Sequence, residues 1–212
     1  MPEATPRHRW YDGLLYAWFY DPVEAEKRRL IAEWIPPGST VLDLCAGTGA
    51  LAMELAQKCS RVVGMDISPR MLAWARARNE KAGHSNVTFL HGDSTRAGRF
   101  VEGPFDFAVA SLLMHEIREE ERALVLSEAC KVARRVILAD FTAPPPSNLR
   151  GIMNHWMELF FGGPANFRVY SHYLEHGGLP GLLERLGLPV LDLARDRHGA
   201  CTFVMTAAPQ TV

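Results

Sequence analysis

The sequence of 212 residues predicts an α/β fold: a mostly parallel sheet, helices on both faces, and an antiparallel hairpin at the C-terminal end. Short apolar runs at 40–44, 61–66, 87–91, 105–110 and 135–140 alternate with helix-patterned segments at 49–57, 69–82 and 119–132. That alternation is the pattern of strands joined by crossover helices. Two late apolar runs, near 189–195 and 200–207, are separated by DRHG, a link short enough for a hairpin. The helical segments also carry start and stop signals. Ser68-Pro69 opens one and Gly83 closes it, and Asp21-Pro22 opens another.

In chain order, helices are expected at about 10–19 and 22–35, the second ending at Pro36-Pro37-Gly38. The strand–helix units then follow to Asp140. TAPPPSNL leaves the sheet, and the aromatic- and His-rich stretch behind it reads as two helices split at Gly162-Gly163-Pro164. One domain is expected. Residues 1–36 would form an N-terminal helical lid, 37–140 the core, 141–178 a capping insertion, and 179–212 a helix and the hairpin.

Composition narrows the function classes. The apolar fraction of 48% and charged fraction of 22% are those of an ordinary globular protein. A formal net charge of −1, without a basic patch, argues against a nucleic-acid partner. Cys45, Cys59, Cys130 and Cys201 are far apart and read as reduced thiols of a cytoplasmic protein. Arg7 and Arg9 are followed by no long apolar core, and no stretch reaches the length of a membrane span, so neither a signal peptide nor integral membrane association is expected.

Chemistry concentrates at VLDLCAGTG, residues 41–49. A strand runs into a turn of small residues and then a helix, so Ala46, Gly47, Thr48 and Gly49 fall where a ligand approaches the backbone. Gly47, Gly49 and Ala52 also satisfy G-x-G-x-x-A, which keeps a dinucleotide and an NAD(P)-dependent oxidoreductase in play. Three acids favour another ligand. Asp43 precedes the glycines, where it repels a pyrophosphate and suits an ammonium. Asp66 ends the next strand, placed for ribose hydroxyls. Asp93, with Ser94 beside it, ends the third, placed for an adenine amino group. An amino-acid end, a ribose and an adenine together describe S-adenosylmethionine.

These segments resemble the class I S-adenosylmethionine-dependent methyltransferases. VLDLCAGTGALAMELA is similar to their first motif, VVGMDISPRML to the second, FLHGDS to the third and FDFAVASLLMHEI to the fourth. The likeness is strongest over 37–140. With the opening RWYDGLLYAWFYDP it is nearest to the quinone C-methyltransferase and small-molecule branch. Cys45 departs from the small residue, often Gly, that many members carry. The resemblance implies a Rossmann-like seven-stranded sheet with one reversed strand. It also implies methyl transfer that leaves S-adenosylhomocysteine, and a reactive methyl near Ser111 and His115.

The remaining candidates follow from position. Ile67 and Met71 would flank the adenine or else pack in the core. His115 is the candidate base on the acceptor side, its alternative being a helix cap. Residues 10–20 hold six aromatics. Tyr11 would cover the sulfonium and Tyr16 the acceptor, or the stripe packs on the core. His155, Tyr170, Tyr173 and His172 are acceptor-pocket candidates on the capping insertion. HEIRE misses the H-E-x-x-H zinc pattern because position 119 is Glu. His172 and His176 share a helix face, but the sequence offers no third ligand, and no metal is expected. An aromatic-rich cap suits a small, partly apolar acceptor. A homodimer is compatible with this reading, and a protein that binds the cofactor without catalysis is the non-enzymatic alternative.

Overall fold

The computed structural model describes residues 21 and 24–208. The expected helix at 10–19, with Tyr11 and Tyr16, lies outside the described residues. The elements are α1 (Ala25–Glu33), β1 (Thr40–Asp43), α2 (Ala50–Ala56), β2 (Arg61–Asp66), α3 (Pro69–Ala82), β3 (Val87–His91), β4 (Phe105–Ser111), α4 (Glu119–Val132), β5 (Ala133–Phe141), α5 (Leu149–Glu175), α6 (Gly178–Arg185), β6 (Asp192–Arg195) and β7 (Cys201–Thr206).

Among the described residues seven strands form one sheet in the order β3-β2-β1-β4-β5-β7-β6. β1 to β5 run parallel, while β7 is antiparallel to both β5 and β6. The cause is alternation along buried strands. Val41, Val62, Phe107, Val109, Ile137 and Phe203 fill a core under α1, α2 and α3. Leu42, Val63, Ala108, Val136, Leu138 and Val204 fill the opposite one, with residues of α4, α5 and α6. The strand order reverses between β1 and β4. That leaves a crevice at the carboxyl ends of the strands, where ligands settle in this architecture.

Two expectations are corrected. The second helix starts at Ala25 rather than 22, and Asp21 does not cap it; the N-cap is Glu24, without a side-chain cap bond. The sixth strand begins at Asp192, not near 189. The expected split is present: Leu149–Glu175 is two helical halves that meet at a kink at Gly163, φ 72°, and Pro164 starts the second half where no amide is needed. A 3-10 turn at Ser94–Arg99, unforeseen in the sequence, links β3 toward β4. No helix among the described residues is long and apolar enough to cross a membrane.

Candidate active site

A cavity of about 390 Å³ opens at the carboxyl ends of β1 to β4. That is the size class of small-molecule sites. Its floor is the turn after β1, Asp43 to Thr48. Asp66, Ile67, Ser68 and Met71 wall it from β2, Asp93 to Thr95 from β3, and Ser111 to Leu113 from β4. Asp21, Glu24, Lys27 and Arg28 close one side, and Ala165, Asn166 and Val169 of α5 close another.

Asp43 sits at the end of β1, 1% exposed, and its Oδ1 has no hydrogen-bond partner. Burial, reinforced by the neighbouring Asp66, pushes its carboxyl up to about 7. A buried acceptor without a donor, on a cavity wall, is a receptor for a cationic donor. Asp66 Oδ2 accepts from Gly47 N at 2.8 Å, and Oδ1 accepts from Ser68 N at 2.8 Å. A carboxylate has lone pairs beyond these two, so it both fixes the turn and faces the cavity. Asp93 Oδ1 accepts from Thr95 N and Oγ1 at 2.9 and 2.8 Å, which makes it a turn cap as well as a wall residue. The Ser94 hydroxyl donates to the Leu44 carbonyl and ties the third strand end to the first.

The profile of a family described as the methyltransferase domain matches residues 41–135. Over these residues the chain is similar to a methyltransferase domain. The demethylmenaquinone methyltransferase of Beutenbergia cavernae is 32% identical over 127 residues, which are 58% of this chain and 50% of that protein. The ribosomal protein L11 methyltransferase of Burkholderia ambifaria is 31% identical over 137 residues, 62% of this chain and 43% of that one. The chain thus spans about half the length of these curated relatives. The magnesium protoporphyrin IX methyltransferase of Synechocystis, solved with bound S-adenosylhomocysteine, shares the fold. Its TM-score is 0.58 at 22% identity, over 88% of this chain and 82% of that one.

The cavity gathers Asp43, Ala46, Gly47, Thr48, Asp66, Ile67, Met71, Asp93, Ser94 and Ser111, each expected at the cofactor. Gly49 is the exception. It caps α2 in a left-handed conformation, and a Cβ there would meet Phe89 and Ala75, so packing explains the glycine. The amides of the turn are also less open to an anion than the sequence implied. Gly47 N donates to Asp66, and Gly49 N donates to the Ala46 carbonyl.

His115 does not line the cavity. Its ring is 3% exposed, with Nδ1 at 2.7 Å from Asp140 Oδ1, and Asp140 Oδ2 accepts from the backbone amides of Met114 and His115. Burial works to lower its pKa, but Asp140, Glu158 and Glu116 prevail and raise it to about 9. An imidazole that already holds its proton is not a general base at neutral pH, and the pairing with Asp140 gives this ring a structural role instead. Tyr170 and Tyr173 are core residues at 1% exposure each, the latter donating to the Phe141 carbonyl. His155 is exposed and packs edge-on against Phe167, and His172 stacks on His176; none of these four lines the cavity.

Sequence reasoning missed two arrangements. Thr48 Oγ1 donates to Asp21 at 2.9 Å and Arg78 Nη1 reaches the same carboxylate at 2.6 Å, pinning the chain before α1 over the glycine turn. Asp140 organises the loop after β4. Its signal was present: it is a fourth acid at a strand's carboxyl end, after Asp43, Asp66 and Asp93.

Proposed function

We propose that the protein binds S-adenosylmethionine and methylates a small, partly apolar acceptor. The observation that carries the reading is the buried, partnerless Oδ1 of Asp43 on the wall of an acidic cavity. It suits the ammonium of an amino acid and opposes a pyrophosphate, which weighs against the NAD(P) alternative. Asp43 would hold the ammonium, Asp66 the ribose hydroxyls and Asp93 the adenine amino group, with Ile67 and Met71 against the adenine ring. Bound there, the cofactor supplies a methyl group already activated on a positively charged sulfur. The protein's part is to position the acceptor and exclude water. Leu112, Leu113, Ile117 and Val169 give the cavity an apolar wall for that purpose. His115 acts by fixing the loop that carries Leu112 and Leu113. The demethylmenaquinone relative supports a quinone-like acceptor; the L11 relative supports a protein acceptor as the second reading.

Calorimetric titration with S-adenosylmethionine, S-adenosylhomocysteine and NADH tests the cofactor. The first two should bind, and Asp66→Ala should abolish their binding. Binding of NADH alone would replace the reading with an oxidoreductase. Label transfer from a methyl-labelled donor should then favour a demethylated quinone over ribosomal protein L11. Labelling of L11 alone would move the acceptor to the protein class, and binding without transfer to either would favour a non-catalytic role.

A further inference from the structure

The two histidines at the C-terminal end of α5, His172 in its last turn and His176 as its cap, acquire in the fold the third ligand that the sequence lacked. Glu119, the first residue of α4, comes beside His172 and His176, and one ligand atom from each lies within 4.8 Å of the others. We propose that these three side chains form a binding site for a divalent transition-metal ion of the zinc class. Imidazole, imidazole and carboxylate are a zinc donor set, with a fourth position left to water.

The geometry supports a metal better than a hydrogen-bond network. His176 Nδ1 lies 2.8 Å from the His172 carbonyl. A carbonyl only accepts, so Nδ1 carries the hydrogen and Nε2 keeps the lone pair a metal needs. His172 Nε2 stands 3.4 Å from Glu119 Oε2. That is long for a charge-assisted hydrogen bond, but close to the roughly 3.3 Å edge of a tetrahedron with bonds near 2.0 Å. The two rings stack at 3.9 Å. Two guanidiniums are near, and both have other partners. Arg185 Nε occupies Glu119 Oε1 at 2.9 Å and leaves Oε2 to the site. Arg122 donates to the Met114 and Val169 carbonyls, and its contact with His172 Nδ1 is a marginal 3.5 Å. The site lies outside the cavity, on helices that both help to line it: Val125 of α4 and Val169 of α5. A bound ion would therefore staple the capping helix to α4.

Zinc chloride titrated into the full chain, with cobalt as the spectroscopic probe, tests this without reference to methyl transfer. One equivalent of zinc should bind, and cobalt should give the intense visible bands of a tetrahedral site. Glu119→Gln and His176→Ala should each weaken binding on the order of tenfold or more. His172→Ala/His176→Ala should abolish it with the circular dichroism spectrum intact. Failure of the wild-type chain to bind zinc would overturn the proposal. So would stoichiometric zinc in the double variant, which would place the ion on the cysteines or elsewhere.

Discussion

At Gly49 an added Cβ would stand 2.7 Å from Phe89 Cζ and 3.0 Å from Ala75 Cβ, on a backbone with φ 75°. At Gly47, φ 52°, a Cβ would meet nothing within 4 Å, because the space beside this residue belongs to the cavity. The two glycines of one motif thus answer to different demands, packing under the turn and access above it. Gly49→Ala is expected to destabilise the protein by about 2–4 kcal/mol, left-handed strain adding to overpacking. Gly47→Ala carries only the backbone strain, about 1 kcal/mol, but places a methyl group at the cavity. Denaturant unfolding should therefore single out Gly49→Ala. Titration with S-adenosylhomocysteine should show the larger loss of affinity in Gly47→Ala. Equal stability of the two variants would contradict the packing assignment.

Helix α5 owes its place over the cavity to a buried cation on another helix. Arg122 of α4 donates from Nε to the Met114 carbonyl at 2.7 Å and from Nη2 to the Val169 carbonyl at 3.1 Å, with its guanidinium 5.3 Å from the centre of the Tyr173 ring. Arg122→Met leaves two carbonyls without their donor, an expected loss of about 2–4 kcal/mol. The loosening should be local before it is global. Limited proteolysis should cut first within 149–176, and an unchanged cleavage pattern would argue against the strut. The parallel strands were legible because strands buried on both faces read as unbroken apolar runs, and β2, β3, α3 and α4 fall on the expected residues. The acids of the cavity were legible too, each at a strand end. The roles of His115 and Arg122 were not. Each depends on a partner supplied by packing, Asp140 at 25 residues' separation and Val169 at 47. No local period reports such pairs, so the sequence shows a histidine next to the expected site but not the Asp140 carboxylate that holds its ring.

For the molecule as a whole, two buried groups set how stability follows pH. The folded state raises His115 from 6.5 to about 9, because Asp140 and Glu158 outweigh the burial that opposes its charge. That stabilisation is fully present below 6.5 and is lost as pH rises through about 9. Asp43 is raised from 3.8 to about 7 by burial. Ionising it in the folded state is costly, so stability also falls as pH climbs from 3.8 to about 7 and then levels. Asp106 and Glu128 are held below the usual carboxylate range by Thr40 and Lys131; their contribution fades only in acid. The unliganded protein should therefore lose stability from about pH 5 to 9, and His115→Gln should flatten the upper part of that fall. A ligand ammonium reverses the sign at Asp43, since it favours the carboxylate. Affinity for S-adenosylmethionine should rise from about pH 5.5 and level above about 7. Binding near pH 6 should release a proton that binding near pH 8 does not. Calorimetry in two buffers of different ionisation enthalpy measures that proton directly. Asp43→Asn should abolish the release, and a release that survives in this variant would move the ammonium away from Asp43.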